Sequence, residues 1–157
     1  MMERNLQPNS DMCFICGRKN PKGLYLTFYD NGENEVYTEC TLSDDYQGYP
    51  GIAHGGIIAA ILDEVVGRVS MISDHHHLMM SVTLQVKYRH PTPTHTPLKF
   101  VGRIVRLRGR LGKAVGMCYL PDGTLTAESE MTLADVPQEF IAGVDMEALG
   151  WRMDKPA

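Results

Sequence analysis

The stretch GIAHGGIIAAILDEVVG, residues 51–67, places a histidine and two adjacent glycines ahead of a long apolar run, then interrupts that run with Asp63 and Glu64. From Gly55 to about Ile72 the apolar positions Ile57, Ile58, Ile61, Leu62, Val65, Val69 and Ile72 recur at helical spacing, which predicts a helix. Because it is apolar nearly all round, such a helix belongs inside a domain, wrapped by a sheet. A second stripe, Gly56, Ala60, Asp63, Gly67 and Ser70, is small apart from the carboxylate. It leaves space beside Asp63 for a strand, a partner chain or a ligand.

Strand signals lie on both sides of this helix. GLYLTFYD and EVYTECTL flank Asn31-Gly32, a tight-hairpin dipeptide, and SDDYQGYPG then leads into the helix as a loop. After SDHHH, the run SVTLQVKY alternates, with Val82, Leu84, Val86 and Tyr88 on one face and Ser81, Thr83, Gln85 and Lys87 on the other. LKFVGRIVRLRG, KAVGMCYL and LTAESEMTLADV supply three more strands. Two strands, one long helix and four strands predict an α+β fold with one antiparallel sheet rather than a parallel βαβ arrangement. Residues 1–12 are polar and expected to be loosely held, residues 13–135 form the domain, and the apolar tail 136–157 is expected to pack over the sheet.

A chain of 157 residues suits one domain with its own core, and 43% hydrophobic with 22% charged residues is a globular composition. No apolar run approaches the roughly 18 residues of a membrane span, and the opening MMERNLQPNSDM lacks the apolar core of a signal peptide. Cys13, Cys16, Cys40 and Cys118 are accordingly expected as reduced thiols in a cytoplasmic protein that binds neither membrane nor nucleic acid. Charge is segregated along the chain: His75–Pro121 holds eight basic residues and no acid, although the net charge is -4. A basic segment in an acidic protein suits a small anionic ligand such as a phosphorylated cofactor, or else a solvated basic sheet face.

The start of the helix offers amides without intrahelical partners, at the positive end of the aligned peptide dipoles. Gly55 and Gly56 allow a ligand to come close to them, and an oxygen gaining negative charge would be stabilised there. Asp63 lies eight residues on, roughly 12 Å along the axis at about 1.5 Å per residue. Attack on one carbonyl needs reacting atoms about 3–3.5 Å apart, so if both groups act together they come from different subunits. This predicts a homodimer with two composite sites. Glu64 stands four residues before Arg68, the order of a helical ion pair, which leaves Asp63 as the carboxylate free for chemistry or for a buried structural bond.

GIAHGG with Asp63 nine residues after His54, followed by SVTLQVKYRHP and a basic strand pair, resembles the hotdog-fold acyl-CoA thioesterases of the PaaI type. CFICGRKNPKGLYL is similar to a leader found in one branch of that superfamily. The resemblance covers about residues 13–135 and implies an antiparallel sheet wrapped around one central helix, with an acyl-CoA as substrate and no cofactor beyond the coenzyme A the substrate carries. It implies a homodimer, with a dimer of dimers as a further assembly. By position, it implies that the Gly55 amide polarises the thioester carbonyl with Gly56 beside it, and that Asp63 is nucleophile or general base. Ser81 then orients the attacking water, and His54 shapes the loop or approaches the thioester. Relatives carry Asn or Gln six residues before the histidine; here Gly48 holds that place, with Gln47 one residue earlier as the substitute. Arg108, Gly109 and Arg110 are the candidates for the phosphates of coenzyme A.

A non-catalytic acyl-CoA binder of the same fold is the alternative, and a hotdog dehydratase a third reading. Cys13-Phe14-Ile15-Cys16 is half of a zinc site with no second pair at matching spacing, and His75–His77 reads as a solvated loop, so no metal is expected.

Overall fold

A computed structural model describes residues 4–154. The helix forms as α1, Gly55–Gly67, and ends short of Ile72, where Val69–Ile72 tightens into a 3₁₀ turn. The strands are β1 (Asn5–Leu6), β2 (Tyr29–Asp30), β3 (Glu35–Thr41), β4 (Met79–Tyr88), β5 (Pro97–Arg108), β6 (Leu111–Tyr119) and β7 (Leu125–Asp135). They form one seven-stranded sheet in the order β1-β2-β3-β5-β6-β7-β4, with every neighbour antiparallel. This is the α+β hotdog arrangement that the motifs imply.

Helix and sheet meet through Ile58, Ile61, Leu62, Val65 and Val66 of α1, packed on Phe100, Ala114, Cys118, Ala127, Met131 and Leu133. Burial of each large aliphatic side chain stabilises the fold by about 1.5–3 kcal/mol. Two glycines set how closely the layers approach. A Cβ on Gly102 of β5 would press into the Val65 carbonyl, and one on Gly116 of β6 would lie 2.7 Å from Val66 Cγ2.

Three local departures from the periodic pattern shape the fold. Residues 23–28 do not continue β2: Tyr25 sits at φ 55, and the amides of Leu24 and Leu26 bond instead to the carbonyls of Phe14 and Ile15 in the leader. β2 is therefore only Tyr29–Asp30, turned into β3 by Asn31, whose Oδ1 accepts from the amides of Glu33, Asn34 and Glu35 at 3.0 Å each. Second, β4 is the edge of the sheet and carries a bulge between Ser81 and Thr83, with Val82 unpaired and 59% exposed.

Third, the two ends of the chain hold each other. Asn9 and Arg152 exchange backbone bonds of 2.8 and 3.1 Å, and Asp11 pairs with Lys19 and Arg152. Gln7, Pro8 and Asn9 are buried. The Trp151 indole N–H donates to the His75 carbonyl at 3.1 Å, whereas Phe140, Val144 and Leu149 of the apolar tail stay exposed. Residues 1–3 and 155–157 of the proposed terminal segments lie outside the described residues. Among the described residues no helix is long and apolar enough to cross a membrane.

Candidate active site

His54 closes the start of α1. Its backbone is extended (φ -61, ψ 132), and Nδ1 accepts from the Gly56 amide at 2.9 Å, the side-chain N-cap arrangement. Its carbonyl accepts from Ile57 and Ile58. Of the first amides, only that of Gly55 is left without an acceptor among the described residues. The Gly56 N–H, expected beside that of Gly55 as a ligand contact, is bonded to His54. A Cβ at Gly56 would lie 3.1 Å from His54 Nδ1, so this glycine makes room for the cap.

Tyr88, at the end of β4, donates its hydroxyl to the Gly55 carbonyl at 2.6 Å. Partial desolvation holds the phenol above its ordinary pKa. Together with Tyr49, Ile52, His54, Gly55 and His90 it lines a cavity of about 710 Å³. Sequence reasoning took Tyr88 as one more apolar strand position and missed it. The signal was its place as the last residue of the alternating run, directly before Arg89-His90-Pro91.

Asp63 is half-buried on α1, and its carboxylate makes no hydrogen bond or ion pair among the described residues. Glu64 takes the structural part expected of it, bonded through Oε1 to Arg68 at 2.9 and 3.0 Å. Arg68 is 2% exposed, donates to the Pro8 carbonyl at 2.7 Å and lies over the Phe28 ring.

The bulge in β4 re-aims Ser81. In register, Leu84 faces Met131 and Val86 faces Ser129 on the helix side, while Thr83 faces Thr132 on the outer side. Without a bulge Ser81 would share the outer face with Thr83. The extra residue Val82 instead sets Ser81 opposite the buried Leu133, on the face that carries α1. Strict alternation therefore put Ser81 on the wrong side of the strand.

Two other groups lie apart from the cavity within one chain. Gln47 is exposed and outside its walls; Gly48 lies against His54 instead, within 3.3 Å of its Cα were a Cβ present. Arg108, Gly109 and Arg110 form the exposed turn between β5 and β6, with Gly109 at φ 61. That turn is level with the start of β4, because Leu111 pairs with Ala134 and Ala134 with Met80. At about 3.3 Å per residue it is on the order of 30 Å from Tyr88 at the other end. The three histidines of His75–His77 join no cluster of three ligand groups among the described residues; His77 pairs with Asp135 at 2.7 Å.

A family model described as "Thioesterase superfamily" matches residues 50–127, the span from the loop before α1 into β7. The chain belongs to the thioesterase superfamily. Acyl-coenzyme A thioesterase THEM4 of Rattus norvegicus is 28% identical over 86 residues, covering 55% of this chain and 36% of that protein. A crystal structure of a thioesterase superfamily protein superposes with a TM-score of 0.73 at 27% identity, over 80% of this chain and 61% of that one. A Streptococcus mutans UA159 protein bound to acetyl CoA shares the fold at a TM-score of 0.65 and 18% identity, over 71% and 88% of the two chains. The E. coli PaaI protein shares the fold at a TM-score of 0.63 and 10% identity, over 71% of this chain and 78% of that one. The chain thus spans about a third of its curated relative and under two thirds of the first of these structures.

Proposed function

We propose that the protein is an acyl-CoA thioesterase, acting as a homodimer in which the Gly55 amide of one subunit holds the thioester oxyanion and the partner subunit's Asp63 attacks as nucleophile or general base. The observation that carries this reading is the single uncapped amide: His54 consumes the Gly56 N–H and leaves the Gly55 N–H free at the wall of the cavity. One aimed donor at a helix start is what an acyl-transfer oxyanion needs. The family membership and the resemblance to THEM4 support thioester chemistry.

The free edge of β4 supports the shared site, because pairing it with the partner's β4 would close the dimer. That edge exposes Met80 and Val82, a strand edge that would otherwise invite non-specific association. A two-fold axis sets the two α1 helices antiparallel, and residue 59 is midway between 55 and 63. Helices crossing there bring Gly55 level with the partner's Asp63, and half-buried Ala59 and Ala60 let the two axes approach. The same pairing sets the start of one β4 beside the end of the other. The partner's Arg108–Arg110 turn then comes to the Tyr88 end, suited to the phosphates of coenzyme A. Four unpaired cysteines suit a reducing compartment such as the cytoplasm.

Thiol release measured across a panel of acyl-CoAs, with wild type and Asp63→Asn, tests this. Wild type should hydrolyse at least one member, and the variant should lose about 10²-fold or more. Tight binding with no thiol release on any member would give the non-catalytic binder instead. Loss of water from a 3-hydroxyacyl-CoA without thiol release would give the dehydratase.

A further inference from the structure

The leader places Cys13 and Cys16 in a tight turn closed by the Gly17 amide on the Cys13 carbonyl at 2.9 Å. The Cys16 amide points at Cys13 Sγ at 3.4 Å. A Cβ at Gly17 would lie 2.5 Å from both the Asp11 and Cys13 carbonyl oxygens, so the turn is built for glycine. From α1, Glu64 Oε1 reaches to 3.9 Å from Cys13 Sγ. The two sulfurs and a Glu64 oxygen all lie within 4.8 Å of one another.

We propose that Cys13, Cys16 and Glu64 bind a zinc-type divalent cation that ties the leader to α1. With metal–sulfur bonds of about 2.3 Å and metal–oxygen bonds of about 2.1 Å, tetrahedral donors stand roughly 3.6–3.8 Å apart. The observed spacing closes to that with small side-chain shifts. Glu64 Oε1, which lies 3.9 Å from Cys13 Sγ, already accepts from Arg68, and Oε2 makes no bond among the described residues, so a small turn of the carboxylate presents Oε2 to the ion and leaves Oε1 with Arg68. Two thiolates select a zinc-type ion over magnesium or calcium. The charges also balance: two thiolates and one carboxylate against a divalent ion and the buried Arg68 guanidinium. On binding, each thiol proton leaves to solvent and no electrons move. Cys16 is 1% exposed, but Cys13 is half-buried, which gives the ion a path in and water a fourth position.

This inference is independent of the thioesterase reading, because its readout needs no turnover. Untagged, reduced protein stripped with a chelator is titrated with cobalt(II). The expected result is a near-ultraviolet thiolate-to-cobalt band that saturates at one ion per chain, is bleached by zinc, and raises the melting temperature. Cys13→Ser and Cys16→Ser should each weaken binding by at least about tenfold, and Glu64→Gln should weaken it while retaining the sulfur band. Absence of the band in folded wild type overturns the proposal, and so does a band that survives in folded Cys13→Ser. If the serine variants do not fold, the stoichiometry, the zinc competition and the melting shift of wild type decide it alone.

Discussion

Gly55→Pro removes the N–H at the start of α1 and little else. His54, at φ -61 and ψ 132, already has the backbone that a residue before proline adopts, and the first helical position is where proline is favoured. A Cβ there would lie 3.4 Å from the Tyr88 ring and hydroxyl, an ordinary contact. The ring's effect on the unfolded chain stabilises by about 0.4–1 kcal/mol, so folding should change by no more than about 1 kcal/mol, or a melting shift of about 2–4 °C. Turnover should respond far more. Loss of one oxyanion donor costs about 10²–10³-fold, equivalent to about 2.7–4 kcal/mol of barrier. The assay is kcat/KM from thiol release on the best acyl-CoA of the panel, beside a thermal melt and size-exclusion chromatography. A variant with an unchanged melt and more than about a tenth of wild-type kcat/KM would refute the role of this amide. Hybrids of a Gly55→Pro chain with an Asp63→Asn chain then decide between one subunit and two. A shared site leaves one intact centre per dimer and about half of wild-type activity; a site within one chain leaves none.

Met80→Lys with Val82→Lys on the β4 edge should shift the protein to monomer in sedimentation and remove thiol release, while circular dichroism stays unchanged. His54→Ala frees the Gly56 amide and should cost about 0.5–2 kcal/mol in chemical denaturation, whereas His54→Asn, which can cap, should cost less. Gly102→Ala forces a methyl into the Val65 carbonyl and to 3.1 Å from Val66 Cα. The helix must lift from the sheet, and a loss of about 1–3 kcal/mol is expected, measured as a lower denaturation midpoint.

The central helix was legible because its code is local: apolar residues at helical spacing and glycines at its start. The antiparallel α+β arrangement and the pairing of Glu64 with Arg68 follow from that code and from the order of the elements, whereas the hotdog fold came with the family resemblance. The face that Ser81 takes was not legible, because a bulge is one unpaired residue in a ladder, and the ladder is formed with β7, residues distant in sequence. Tyr25 broke an apparently good strand for a related reason, since its neighbours bond to the leader rather than to a sheet partner.

The site divides along the same line. Sequence by itself singled out the candidate residues, an acid within an apolar helix and two glycines at a helix start, and read the C-x-x-C pair only as reduced thiols. Tertiary structure alone decided which of them are free and which are spent. It gave the Gly56 amide to His54, left that of Gly55 without an acceptor, set Tyr88 at the cavity and brought Glu64 to the two cysteines. The physical reason is that periodicity and turn chemistry act within a few residues, whereas a hydrogen bond or a cluster of ligands depends on segments that only the packed fold brings within a few ångströms.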